Sequence, residues 1–118
     1  MAEPIFKICS RQEWAAAVAA GEFVGSPVDL DDGFIHFSAG HQVVATAEKH
    51  FAGQQDLVLI SVDPGQFGDE LKWEVSRGGD LFPHLYKPLP ADAALKVDAL
   101  PLNDSGAHVF PPGVLKSQ

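Results

Sequence analysis

At residues 33–38 the sequence reads Gly-Phe-Ile-His-Phe-Ser, the pattern of a short strand, and a helix-like segment follows directly. Side chains alternate between the two faces of a strand, so His36 and Ser38 share one face. Ile35 and Phe37 share the other face, and their apolar character predicts that it meets the core. We therefore expect the His36 face to form one wall of a small-ligand site.

The segment after this strand, residues 39–51, has the apolar period of a helix, and Ser38 stands where a serine caps a helix N-terminus. The N–H groups of a capped N-terminus attract anions. Ser38 and His41, in the first turn, are therefore candidate contacts for a phosphate or carboxylate. An ordinary N-cap without a ligand explains the same pattern.

Towards the N-terminus, residues 5–9 have the pattern of a first strand. Ser10 and Glu13 follow at the spacing of a capping box, which predicts a helix over residues 11–20 that ends at Gly21. Its expected apolar stripe consists of Trp14, Ala17 and Val18. Residues 22–32 contain glycine, proline and three aspartates, and we expect a solvated loop that borders the His36 strand.

Towards the C-terminus, several short strands are predicted. Residues 57–62 are almost continuously apolar, which is typical of a central strand covered on both faces. In residues 71–75 the alternation predicts that Trp73 faces the core and Glu74 the other side. Residues 81–86 are expected to form an edge strand or an extended loop, because Pro83 cannot donate to a ladder. A last strand is expected over residues 94–100.

These elements predict an α+β fold. Two helices in the N-terminal half pack on a split, mostly antiparallel sheet, because the strands are too close in sequence for helical crossovers. A chain of 118 residues is expected to form one domain over residues 1–118.

Composition narrows the function. The net charge is −8 with only 8 lysines and arginines, which argues against general binding to nucleic acid. No apolar run or signal-peptide pattern indicates a membrane partner or export, and Cys9 is the sole cysteine. We expect a cytoplasmic protein in which Cys9 is buried and inert. The sequence does not identify a protein partner.

Three polar residues interrupt apolar strand contexts: His36, Glu74 and His84. Such residues either satisfy a structural hydrogen bond or face a cleft. We take all three as candidate catalytic residues that converge on one cleft. A metal site is not expected, because no pair of histidines has a ligand-like spacing. Lys7, Lys72, Arg77 and Lys87 are candidate cations for an anionic ligand, with Arg77, beside two glycines, the best of them unless it is an ordinary exposed turn residue.

Three segments together resemble a family of small bacterial proteins known as a domain of unknown function: residues 32–38, 71–74 and 82–86. The similarity runs from about Phe6 to Val97. It implies an ADP-ribosyltransferase-like split sheet, in which a cleft binds NAD or a related nucleotide. By position the resemblance places Lys7 or a neighbour, His36 and either Glu74 or His84 in that cleft, whereas Tyr86 is not at the usual tyrosine position. If NAD binds there, we expect Tyr86, rather than Trp73, to stack on the nicotinamide. The sequence departs from that superfamily in lacking the usual first-strand His or Arg.

Three hypotheses follow from the sequence. The domain is an ADP-ribosyl-type transferase that uses NAD, a non-catalytic small-ligand-binding or regulatory module, or an interaction domain whose histidines only satisfy buried groups. The first two predict that His36→Ala weakens ligand binding and leaves the melting temperature nearly unchanged. The third predicts a large loss of stability.

Overall fold

A computed structural model describes residues 3–76 and 79–115. Strand β1 (Ile5–Ser10) leads into helix α1 (Arg11–Ala20). The predicted capping box is confirmed: the Glu13 N–H donates to Ser10 Oγ, and the Ser10 N–H donates to Glu13 Oε1, each at 2.9 Å. Gly21 ends the helix with φ 91°. Trp14 and Ala17 are buried, but Val18 is 57% exposed. Including Val18 in the stripe was wrong, because this short helix buries only one narrow line of side chains.

The expected loop over residues 22–32 was also wrong. Strand β2 (Glu22–Phe23) and helix α2 (Pro27–Asp32) form there. Ser26 is the N-cap, Pro27 supplies the fixed φ favoured in a first helical turn, and the Ser26 N–H donates to Asp29 at 2.9 Å. The acidic run is therefore the polar part of a helix.

The central strand is broken in two. Strand β3 (Ile35–His36) and strand β4 (Ser38–Ala39) belong to different sheets, and the chain crosses between them at Phe37. Ile35 and Phe37 are buried, so the predicted core face is confirmed.

Three antiparallel sheets result, which confirms the α+β class and the mostly antiparallel pairing. The remaining strands are β5 (Leu57–Val62), β6 (Leu71–Val75), β7 (Leu81–Leu85), β8 (Leu89–Pro90) and β9 (Lys96–Leu100). The four-stranded sheet has the order β4-β1-β5-β9, the three-stranded sheet β3-β7-β6, and β2 pairs with β8. Strand β5 is interior and buried throughout, as its apolar run predicted.

Helix α3 (Gly40–His50) follows β4, and a short helix α4 (Pro112–Leu115) lies near the C-terminus. Ser38 does not cap α3, contrary to the prediction. Pairing of Ile5 with Ala39 extends the strand by one residue, so Ala39 is the N-cap and its N–H donates to Gln42 Oε1 at 2.9 Å. The Ser38 hydroxyl instead lies 2.9 Å from the Thr46 hydroxyl.

Strand β7 is interior, not an edge strand. Pro83 is tolerated there because it lies opposite the break between β3 and β4, where its carbonyl accepts the Phe37 N–H at 3.0 Å. The expected core position of Trp73 was wrong: Trp73 is 45% exposed and Val75 is exposed, although Leu71 on the same face packs against the core. Glu74 bonds to the side chains of β7, so alternation turns its neighbours outward.

The core lies on both sides of the four-stranded sheet. Alternate residues of β1 and β5 enter two buried clusters, one of which packs on α3 and the other on α1. Cys9 is in the latter cluster, and burial raises the pKa of its thiol to about 12. Within the described residues, no helix is both long and apolar enough to cross a membrane.

Candidate functional site

A cleft of about 480 Å³ opens where the two larger sheets separate. Helices α2 and α3 form two of its walls, and strands β1, β3, β4 and β7 supply the rest. Its polar lining residues are Lys7, Asp32, His36, Ser38, Thr46, His50, Ser76 and His84. Its aromatic lining residues are Phe6, Phe37, Phe51 and Phe82. The volume is in the range of small-molecule sites, about 300 to 1,000 Å³.

His84 is part of this lining and is only 4% exposed. Its Nδ1 is 2.8 Å from Glu74 Oε1, across the β6–β7 pair. Its Nε2 is buried and has no hydrogen-bond partner among the residues that the structure describes. A buried polar atom without a partner is rare in a native protein, and its position in the cleft wall makes it a candidate contact for a ligand or water.

One oxygen of Glu74 makes hydrogen bonds to both His84 and Tyr86. Its Oε1 also accepts the Tyr86 hydroxyl at 2.6 Å. The hydrogen bonds from Tyr86 and His84 lower the pKa of Glu74, and the carboxylate in turn raises the pKa of Tyr86. Glu74 and Tyr86 therefore form a fixed support behind His84, on the side away from the cleft.

His36 is held between two carboxylates of helix α2. Its Nδ1 lies 2.6 Å from Asp29 Oδ1, and its Nε2 lies 3.0 Å from Asp32 Oδ2. An imidazole donates to two carboxylates at once only when both of its nitrogens carry a proton. This arrangement fastens α2, and with it one wall of the cleft, to strand β3.

Asp29 is the centre of a buried polar network. Besides His36 it contacts the Lys7 ammonium, 2.7 Å from its Oδ2, and it accepts the N–H groups of Ser26 and His36. Burial alone would raise the pKa of Asp29, but the hydrogen bond with His36 and the charge of Lys7 lower it to about 2. Asp29 is therefore ionised at neutral pH and neutralises Lys7.

The two histidines are neighbours. Their ring centroids lie 5.5 Å apart with an edge-to-face arrangement, since His36 and His84 are paired across β3 and β7. Phe34 stacks on His84 with a centroid distance of 4.1 Å and also contacts His36 and Tyr86. Aromatic packing thus fixes the orientation of both imidazoles.

One family model matches residues 8–97, which is most of the chain, and its description is "Protein of unknown function (DUF952)". The chain belongs to this DUF952 family. Among curated proteins, none matches the sequence.

The DUF952 chain is also similar to solved structures of protein CC0527 from Caulobacter crescentus. A crystal structure is 50% identical with a TM-score of 0.90, and the match covers 94% of this chain and 97% of the other. A solution NMR structure is 53% identical with a TM-score of 0.81, covering 88% of this chain and 90% of the other. The arrangement of strands and helices described above is thus shared with an experimentally determined protein.

The structure brings together only part of the predicted site. Lys7, His36, Ser38 and His84 line the cleft. Glu74 reaches it through His84, and Tyr86 stands behind Glu74.

Two predicted residues lie elsewhere. His41 is exposed and borders a different depression, beside Trp73. Arg77 lies outside the described residues. The anion site expected at the start of α3 loses its basis, because Ser38 is not the cap and Gln42 occupies the Ala39 N–H.

The sequence interpretation missed Asp29 and Asp32, whereas Phe34 was placed on the His36 face of its strand. The two aspartates were assigned to a solvated loop. A signal was present: Ser26 and Pro27 followed by an acid at the third helical position is a helix start. Within the described residues, no group of three or more metal-ligating side chains is close enough to hold a metal ion.

Proposed function

We propose that the DUF952 cleft binds NAD or a related nucleotide, in an ADP-ribosyltransferase-like domain of the bacterial cytoplasm. The observation that supports this most is the placement of His36 and His84 side by side, with ring centroids 5.5 Å apart, in a cleft between two separated antiparallel sheets. Ligand sites concentrate a few polar groups within a largely apolar wall, and this cleft has that composition.

The lining suits the nicotinamide nucleoside part of such a ligand. Phe37, Phe51 and Phe82 offer apolar and aromatic surface to a planar ring. The Nε2 of His84 can accept a hydrogen bond from a sugar hydroxyl. Lys7 is paired with Asp29, and Asp32 contacts His36 at the cleft, so the cleft has little net positive charge to hold a diphosphate. We expect the diphosphate to lie towards solvent.

Turnover would cleave the bond between nicotinamide and ribose, which builds positive charge on the sugar. Asp32 is the carboxylate that lines the cleft, whereas Glu74 does not line it and contacts it only through His84. Asp32 is therefore better placed than Glu74 to stabilise that charge. Glu74 positions His84 in this scheme, and Ser38 and Lys7 lie at the wall beside it.

A second candidate is a binding or regulatory module without turnover. One observation favours it: both nitrogens of His36 are engaged by Asp29 and Asp32, which leaves His84 with the available ring nitrogen of this pair. One available imidazole nitrogen from this pair is enough for recognition of a ligand, whereas acid–base catalysis by both histidines would need a second one.

Calorimetry with NAD, ADP-ribose and nicotinamide tests binding, and the release of nicotinamide from NAD tests turnover. We expect NAD to bind and His84→Ala to weaken binding about tenfold or more, which is the loss of one good hydrogen bond in a buried site. His108→Ala is the matched control, because His108 bonds to the Gln54 carbonyl in an exposed setting away from the cleft.

The outcomes separate the candidates. Binding with nicotinamide release supports the transferase, and binding without release supports the module. No binding of any of the three ligands would refute the proposal.

A further inference from the structure

We infer that Nε2 of His84 is the proton acceptor of the cleft. The proton comes from a hydroxyl group, either of the bound ligand or of an attacking water or alcohol. Glu74 and Tyr86 are its positioning residues. This inference rests on the proposed function in one respect, that a ligand occupies the cleft.

The Glu74 side of the ring fixes which nitrogen carries the proton. An ionised carboxylate only accepts hydrogen bonds, so Nδ1 must donate across the 2.8 Å contact with Glu74 Oε1. The lowered pKa of Glu74, caused by Tyr86 and His84, keeps the carboxylate ionised at neutral pH. A neutral imidazole that donates from Nδ1 presents a lone pair at Nε2.

On the cleft side of the ring, the Nε2 lone pair has no hydrogen-bond donor among the described residues. Nε2 is buried and lacks a partner within residues 3–76 and 79–115. The nearby His36 does not serve, because its own nitrogens lie 2.6 Å and 3.0 Å from Asp29 and Asp32. The complementary ligand group is therefore an O–H or N–H donor, and a hydroxyl is the donor that becomes a nucleophile on losing its proton.

Two contacts hold the ring in this orientation. Phe34 covers one face at 4.1 Å with an interplanar angle of 25°. The Tyr86 hydroxyl holds Glu74 Oε1 at 2.6 Å, which keeps the carboxylate from swinging away. The Tyr86 hydroxyl, the Glu74 carboxylate and the His84 imidazole are therefore hydrogen-bonded in series. Of these three, His84 is the one that lines the cleft.

With NAD in the cleft, the step balances without another reactant. The O–H bond of an alcohol or water breaks, and its proton goes to His84 Nε2. The oxygen forms a bond to the anomeric carbon of the ribose. The bond between that carbon and nicotinamide breaks, its electron pair leaves with neutral nicotinamide, and His84 then returns the proton to solvent.

Nuclear magnetic resonance of the full chain tests the inference directly. In the free protein at pH 7, long-range proton–nitrogen correlations should show His84 with a protonated Nδ1 and a bare Nε2. Glu74→Gln should reduce that preference, since an amide both donates and accepts, and Tyr86→Phe should change it less. A protonated Nε2 in the wild-type protein would overturn the inference, because Nε2 would then donate a hydrogen bond and would suit an acceptor or anionic ligand group.

The pH profile of nicotinamide release is the second measurement. General base catalysis contributes about 10²- to 10⁴-fold, so His84→Ala should lower the rate by that order. The rate should fall at low pH as Nε2 becomes protonated, and Glu74→Gln should move this fall to lower pH because the imidazolium loses its carboxylate. The other titratable groups around the ring are Tyr86, Lys72, His36, Asp32 and His50.

The two measurements keep the proposals apart. A bare Nε2 with no NAD turnover would refute the transferase and leave His84 as an acceptor towards a ligand donor. Turnover with a pH profile unchanged in Glu74→Gln would overturn the role of His84 and leave the transferase standing. If the role of Glu74 is purely structural, Glu74→Gln should lower the stability of the protein without moving the pH profile of nicotinamide release.

Discussion

The Lys7 ammonium lies 2.7 Å from Asp29 Oδ2, and the two residues are 5% and 2% exposed. This ion pair joins strand β1 to helix α2, and Asp29 extends it to His36 on β3. Three elements that border the cleft are thus fastened by one carboxylate. The shape of the site depends on Asp29 even though Asp29 itself does not line the cleft.

Replacing Asp29 should be severely destabilising. Asp29→Asn leaves the buried Lys7 without its counter-ion, and breaking a buried pair costs about 3 to 5 kcal/mol. Chemical denaturation should therefore show a large fall in the free energy of unfolding. Glu70→Gln, which removes an exposed partner 3.4 Å from Lys87, is the matched control and should cost about 1 kcal/mol or less. Equal losses in the two variants would contradict the central role of Asp29.

Stability should also fall in acid because of Asp29. Its pKa is about 2 in the folded protein, against about 3.9 for an unperturbed aspartate. A carboxyl whose folded pKa is depressed contributes stability that is complete above the unfolded pKa and is lost as the pH falls through the folded pKa. We expect the unfolding free energy to decline from about pH 5 towards pH 2. A carboxyl carbon resonance of Asp29 that titrates near pH 4 would be inconsistent with this.

His36 should affect stability as well as binding, which revises the expectation from the sequence. His36→Ala removes a donor 2.6 Å from the buried Asp29, and a hydrogen bond to a charged group contributes about 1.5 to 3 kcal/mol. Thermal unfolding should show a melting temperature lower by several degrees. His36→Asn keeps a donor near the position of Nδ1 and should recover part of the loss. An unchanged melting temperature in His36→Ala would mean that water replaces the imidazole without cost.

Local signals in the sequence were sufficient for some elements. The Ser10–Glu13 capping box and the apolar run of β5 depend on neighbours within a few residues, and both predictions were confirmed. The core face of Ile35 and Phe37 was also predicted, because alternation is a local rule.

Contacts between residues far apart in the chain could not be predicted from such local patterns. Period-two alternation put Trp73 inward because tryptophan is apolar, but Glu74 pairs with His84 and Tyr86, ten and twelve residues away, and Trp73 is 45% exposed on the opposite face. The burial of Asp29 depends on Lys7, far away in the chain. The convergence of His36 and His84 was inferred from their similar contexts, and only the β3–β7 register gives the reason for it.

Cys9 should be unreactive in the folded protein. Burial raises the pKa of its thiol to about 12, so very little thiolate exists at neutral pH, and the side chain is also inaccessible. A thiol reagent added to native protein should label Cys9 only as fast as the protein opens, while protein in strong denaturant should label at once. Immediate labelling of the native protein would place Cys9 at the surface.

The two tryptophans should report the orientation of β6 directly. Trp14 is buried in the core beside Phe23, whereas Trp73 is 45% exposed on the edge strand. In Trp14→Phe, the remaining fluorescence should come from Trp73 and be quenched readily by acrylamide. In Trp73→Phe, the remaining fluorescence should come from Trp14 and be protected. The reverse result would turn Trp73 inward and Glu74 outward, which would separate Glu74 from His84 and remove the support that the proposed proton acceptor requires.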